Sequence, residues 1–348
     1  MTVAEAILEP DLPIIDPHHH LWDRQVSPPD PSVPEHGYAA TVRLSPRYLL
    51  DELLADAGSG HNVVATVFVE CRSMYRANGP DLLKPIGETE FVNGVAAMSA
   101  SGRYGALRAC AGIVGRADFT LGDRVAEPLE AHIAAAPARF RGVRQTASFD
   151  ADPAVLGPIA LTPSGLYASE AFRSGFGHLA RLGLSFDAWL LEPQLPELIA
   201  LARAFPDTRI VLDHVGTPLG LASYQGKRPE RFAVWRANIR ELAKSPNVFA
   251  KLGGLGMAFC NFPSFLAEPR ASSQQLADEW RPYVETCIEA FGPERCMFES
   301  NFPVDLGSCG YATLWNAFKR LAAGASNEEK AELFSGAAKR FYRLDVSS

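Results

Sequence analysis

Ile14-Ile15-Asp16-Pro17-His18-His19-His20-Leu21-Trp22-Asp23 is the stretch from which the fold is read. Two β-branched residues run into an acid and then into three consecutive histidines, the pattern of a buried parallel strand that carries polar groups at its C-terminal end. Side chains alternate along a strand, so His18 and His20 face one side and His19 the other. Two imidazoles on one face can address one ion or one substrate.

Seven more apolar runs follow at intervals: 63–70 (VVATVFVE), 107–114, 141–145, 184–190, 209–216 (RIVLDHVG), 247–254 (NVFAKLGG) and 295–300 (RCMFES). Helical patterns separate them, around 88–101 and at 124–136, 170–182, 195–205, 230–244, 276–291 and 311–323, and a last one at 327–342 is expected to be capped by Asn327. Strand and helix in alternation imply parallel strands with helical crossovers. Eight such units predict an α/β fold, a (β/α)8 TIM barrel, spanning 1–348 as one domain. An open doubly wound sheet would bring a Gly-rich turn after its first strand, where HHHLW stands instead. Residues 23–46, with Pro28, Pro29, Pro31 and Pro34, read as a long loop over the mouth of the barrel carrying His36 and Tyr38. Ser45-Pro46 reads as the start of a helix over Tyr48 to Ala57.

The net charge of −7 and the absence of a basic block argue against a nucleic-acid partner. The first residues lack the pattern of a secretory signal, and no apolar run reaches the roughly 20 residues that cross a bilayer. The six cysteines form no CxxC pair and sit in apolar surroundings, as free thiols of a cytoplasmic protein do. A soluble small-molecule enzyme is therefore expected, with homo-oligomerisation left open.

Working residues of such barrels lie at the C-terminal ends of the strands. There the chain places His18 and His20, Glu70 and Arg72, Arg144, Asp187, His214, Lys251, and then Glu299, Asn301 and Asp305. Buried charge is costly unless paired or used, so this constellation points to an enzyme. His18, His20 and His214 make a metal-ligand inventory suited to zinc, and equally a set that polarises a carbonyl without a metal. Arg144 and Lys251 suit a substrate carboxylate, with Arg72 and Tyr38 at the rim. Trp22, Tyr38, Phe68, Trp189, Phe259 and Phe302 are candidates for apolar walls.

DPHHHLWD, VLDHVGTP, AKLGG and MFESNFPVD, in this order over nearly the whole chain, resemble the amidohydrolase-2 family of TIM-barrel hydrolases. That family includes lactonases such as 2-pyrone-4,6-dicarboxylate lactonase and L-fuconolactonase, alongside related decarboxylases. The resemblance implies water-dependent opening of a lactone, with His18, His20 and His214 as metal ligands or carbonyl-polarising groups; some members use zinc and others no metal. It also implies a strand-8 Asp as the base, where this chain has Asn301, which exchanges hydrogen bonds but takes no proton near neutral pH. Asp305 and Glu299 are then the alternative bases. A metal-dependent non-oxidative decarboxylase and a catalytically silent carboxylate-binding protein are the rival readings.

Overall fold

The computed structural model describes residues 5–26, 28, 32 and 35–346. Eight strands form one parallel sheet in sequence order: β1 Ile14–His19, β2 Val63–Val69, β3 Arg108–Arg116, β4 Phe140–Arg144, β5 Ser185–Ala188, β6 Ile210–Leu212, β7 Val248–Leu252 and β8 Cys296–Phe298. The sheet closes into a (β/α)8 TIM barrel just beyond the last strand. There Asn301 N donates to His18 O at 2.8 Å, His20 N donates to Phe302 O at 2.8 Å, and His19 bridges Phe302 in parallel. This seam sets Asn301 beside the His triplet.

The strands and helices expected from periodicity are present, several with shifted ends. The 170–182 helix is two helices, Glu170–Phe176 and His178–Leu182, separated at Gly177. The terminal helix is capped by Ser326 rather than Asn327: Ser326 Oγ accepts from Glu329 N, and the Glu329 carboxylate accepts from Ser326 N. The stretch expected to be one long loop contains a helix, Gly37–Leu44, capped by the His36 ring, while 27, 29–31, 33 and 34 lie outside the described residues. The helix expected from Tyr48 begins at Leu50, because Arg47–Tyr48 pairs antiparallel with Trp22–Asp23 and is thereby extended.

Inside the barrel the side chains are layered. Ile15, Val67, Val114, Val211 and Met297 fill the N-terminal half, and the C-terminal helix Ala337–Tyr342 seals that end with Phe341 and Tyr342. Above this plug the inward positions turn charged, with Arg144, Asp187, Lys251 and Glu299 all buried. Leu and Phe side chains on the outer strand faces, among them Phe68, Phe186, Leu212, Leu252 and Phe298, pack against the surrounding helices, which bring Trp235, Trp280 and Trp315. No helix among the described residues is long and apolar enough to cross a membrane. All six cysteines are free, five of them buried.

Candidate active site

The alternation read from the His triplet holds in space. His19 points out of the barrel, its Nε2 2.8 Å from Thr66 Oγ1, while the His18 and His20 rings lie on the inner side with centroids 5.0 Å apart. The His20 Nδ1–H donates to the Val69 carbonyl at 2.8 Å, which leaves Nε2 as a lone pair. Burial, with the nearby charges of His18 and Arg144, pushes the His20 pKa well below its ordinary value, so this ring is neutral.

His214 arrives by a different route. Strand β6 ends at Leu212, and the chain then turns through left-handed backbone at His214 (φ 56°) and Val215 (φ 47°). The turn swings the His214 ring to 4.6 Å from His18, centroid to centroid. Two glycines at the end of β7 make room for it. A Cβ on Gly254 would stand 2.4 Å from the His214 ring, and one on Gly253 would stand 2.4 Å from the Glu299 carbonyl oxygen.

Glu299 ties the two histidines together. Its Oε1 accepts from His214 Nδ1 at 2.7 Å and from His214 N at 3.0 Å, while Oε2 lies 2.7 Å from His18 Nδ1. Burial alone would raise the Glu299 pKa, but the adjacent His214 and His18 outweigh it and hold it at about 2. Glu299 is thus an ionised partner of the imidazoles and pairs directly with neither Lys251 nor Arg144.

Those two cations sit on either side of His18. Lys251 Nζ lies 2.7 Å from Asp187 Oδ2, 3.0 Å from Asp213 Oδ1 and 3.0 Å from His18 Nδ1. Arg144 Nη1 lies 3.3 Å from His18 Nε2 and 3.3 Å from Asp213 Oδ2, and its Nε donates to Glu70 Oε1 at 2.9 Å. A guanidinium and an ammonium can only donate, so the His18 ring stands between two donors, Arg144 at Nε2 and Lys251 at Nδ1, with Glu299 Oε2 also beside Nδ1. Burial works against the Lys251 charge, yet Asp187, Asp213 and Glu299 raise its pKa above the ordinary value. Asp213 is drawn well below the carboxylate range by Lys251 and His18, against the effect of burial, whereas Asp187 is pushed up to about 6, chiefly by burial. From below, Tyr342 OH donates to Asp187 Oδ2 at 2.6 Å.

A cavity of about 260 Å³ opens above this cluster. His20, His214, Arg144, Glu70 and Asn301 reach it from the barrel, Arg72, Arg24 and Tyr38 from its rim, and Trp22, Trp189, Met257 and Phe259 form apolar wall. Of the residues expected from sequence, His18 and Lys251 lie beneath the cavity floor, fully buried, and Asp305 lies behind Asn301. The Asn301 amide nitrogen donates to Asp305 Oδ1 at 2.8 Å, and Gly256 N donates to Asp305 Oδ2 at 3.1 Å. Burial pushes the Asp305 pKa up to about 7. Phe68 and Phe302, expected as wall, are buried away from the cavity.

Sequence reasoning missed Asp213 and Arg24. Alternation along a strand would send Asp213 and His214 to opposite faces. Because the strand stops at Leu212, both turn toward His18. Arg24 follows the paired Trp22–Asp23, stacks over Trp22 at 4.5 Å and donates to the Cys71 carbonyl at 2.8 Å. Nothing local in the sequence distinguishes it from a solvated arginine.

The donors closest to a metal-ligating set are His18, Asp213 and His214, whose ligand atoms lie within 4.8 Å of one another; His20 stands outside that group. The residues as arranged do not fit a divalent ion there, because the Lys251 ammonium already lies between His18 and Asp213.

A family model described as amidohydrolase matches residues 15–344. The chain is 37% identical to an uncharacterized protein, y4mH, of Sinorhizobium fredii over 96% of this chain and 99% of that protein. It is 29% identical to an L-fucono-1,5-lactonase of Burkholderia ambifaria, covering 96% of this chain and 97% of the lactonase. A crystal structure of an amidohydrolase from Burkholderia multivorans, with zinc bound, superposes with a TM-score of 0.71 at 25% identity, covering 95% of this chain and 99% of that one.

Proposed function

This chain belongs to the amidohydrolase family, and from that premise we propose that it is a hydrolase that opens a lactone of a small carboxylated or sugar-acid substrate. The observation that carries the reading is the pair made by His214 and Glu299. An imidazole with its Nδ1–H fixed on an ionised carboxylate at 2.7 Å presents its other nitrogen to a cavity that Arg144 also lines. That is the arrangement of a general base whose protonated form is stabilised in advance.

In the proposed reaction the lactone carbonyl lies against Arg144, whose fixed positive charge takes up the developing oxyanion. Asn301, with its amide nitrogen committed to Asp305, turns its carbonyl oxygen to the attacking water. His214 Nε2 accepts a proton from that water as the new C–O bond forms. The ring C–O bond then breaks, and the proton passes from the His214 imidazolium to the departing ring oxygen, giving a hydroxy acid. His20 offers a second acceptor on the same cavity. Arg72 and Arg24 hold a substrate carboxylate at the rim beside Tyr38, and Trp22, Trp189 and Phe259 enclose the ring. His18, Lys251 and Asp213 act from beneath as positioning residues for Glu299 and Arg144. Removing one group of this kind costs typically 10²–10³-fold in turnover.

A pH-indicator screen of carboxylated and sugar-acid lactones tests the assignment, with His214→Ala and His20→Ala beside the wild type. Acid release on at least one lactone, lost in His214→Ala, is the expected result. Full activity of both variants on the best substrate would remove the site. Release of carbon dioxide without consumption of water would replace lactone opening by decarboxylation, and binding without turnover of any lactone or acid would mark a silent binding protein.

A further inference from the structure

We propose that Lys251 is the built-in cation of this barrel, and that its ammonium, held on His18 and Asp213, blocks a latent divalent-metal site whose ligands would be His18, Asp213 and His214. Three observations carry this. The Lys251 side chain is fully buried, with Nζ 3.0 Å from His18 Nδ1, 3.0 Å from Asp213 Oδ1 and 2.7 Å from Asp187 Oδ2, so one nitrogen and two carboxylate oxygens converge on a single positive centre. The ligand atoms of His18, Asp213 and His214 lie within 4.8 Å of one another, close enough that a modest contraction brings all three to the roughly 2.0–2.2 Å at which zinc takes imidazole nitrogen and carboxylate oxygen. The flanking charge is arranged for a cation already present: Asp213 is shared between Lys251 and Arg144, and Tyr342 from the C-terminal helix donates to the same Asp187 oxygen that holds Lys251.

A divalent ion and an ammonium cannot share this position. With Lys251 in place a metal would meet a like charge beneath it and the Arg144 guanidinium on the other nitrogen of His18. With the lysine side chain gone, Asp187, Asp213 and His18 lose the cation they hold, and the His214 ring stands 4.6 Å from that of His18. The inference goes beyond the proposed lactone opening and does not depend on it, since its readout is metal content.

The test compares wild type, Lys251→Ala and the double variant Asp187→Asn/Lys251→Ala, the last removing the carboxylate that the single variant strands without its partner. Each is incubated with Co²⁺, desalted, and measured for bound metal by mass spectrometry and for the d–d absorption of tetrahedral cobalt, with circular dichroism to establish folding. Wild type is expected to retain only a small fraction of an equivalent. The folded variants are expected to gain about one equivalent with tetrahedral bands, lost again when His214→Ala is added. Stoichiometric cobalt in wild type would overturn the proposal, and so would folded variants that bind no more than wild type.

Discussion

Glu299 is the residue on which the proposed chemistry turns, because both of its oxygens are committed to imidazoles, one to His214 and one beside His18. Glu299→Gln keeps the shape and removes the charge. An amide oxygen still accepts from His214 Nδ1, but it no longer stabilises an imidazolium, so kcat is expected to fall by about 10²–10⁴-fold with little change in KM. Steady-state kinetics on the best substrate of the screen check this, and an equal loss carried by KM alone would contradict it. Nothing in the order FESN marks Glu299 as an imidazole partner, and sequence offered it as an alternative base instead. Which side chains meet inside a barrel depends on the register of strands far apart in sequence, and that register is set by the closed sheet rather than by the local pattern.

At the scale of elements, the end of β7 shows how backbone makes a site. Gly254 has φ +67°, and a Cβ there would stand 2.4 Å from the His214 ring. Gly254→Ala is therefore expected to retain a folded barrel by circular dichroism while turnover drops by about a hundredfold, since a displacement near 1 Å in a reacting group costs on that order. The strand–helix succession was legible because continuous apolar runs and period-3.6 patterns survive in single segments, as in VVATVFVE and the 311–323 helix. The rest of the mouth was not. The Gly37–Leu44 helix sits in a stretch dominated by proline punctuation, and the Asp213–Gly216 turn breaks the alternation that the preceding strand obeys. In each case an irregular backbone decides where the side chains go, and periodicity carries no information about it.

Across the whole molecule, buried carboxyl groups make stability depend on pH. Glu88 accepts from Cys71 N at 3.0 Å and Ser73 N at 2.8 Å, pinning the backbone that carries Arg72, and burial beside Glu70 raises its pKa from 4.5 to about 8. Between those values the unfolded chain has lost the proton that the folded chain keeps. The unfolded state then binds fewer protons, and stability falls as pH rises from about 4.5 to about 8. Asp16, raised to about 6 by burial, adds to the same trend below that pH. Glu299 acts oppositely: its pKa of about 2 contributes stability above pH 4.5 that is lost as pH falls toward 2. Glu88→Gln keeps the acceptor oxygen and removes the titration, so relative to wild type it is expected to gain about 2 kcal/mol or more in urea unfolding between pH 5 and pH 8. A difference that stays flat across that range would contradict the assignment.

The seam that closes the barrel has a consequence for how the molecule reports on itself. The amide of His20 is bonded to Phe302 O and that of Asn301 to His18 O, so two residues that line the cavity also staple the last strand end to the first. Their amide protons can exchange with deuterated solvent only when the cylinder parts at this point. Occupancy of the cavity, which presses on the side chains of the same two residues, should slow that parting. Hydrogen–deuterium exchange of peptides covering His20 and Asn301 should therefore become slower together on adding a ligand, while the β4–β5 junction on the far wall keeps its rate. The two amides then serve as an intrinsic gauge of ligand binding, readable before any product is formed.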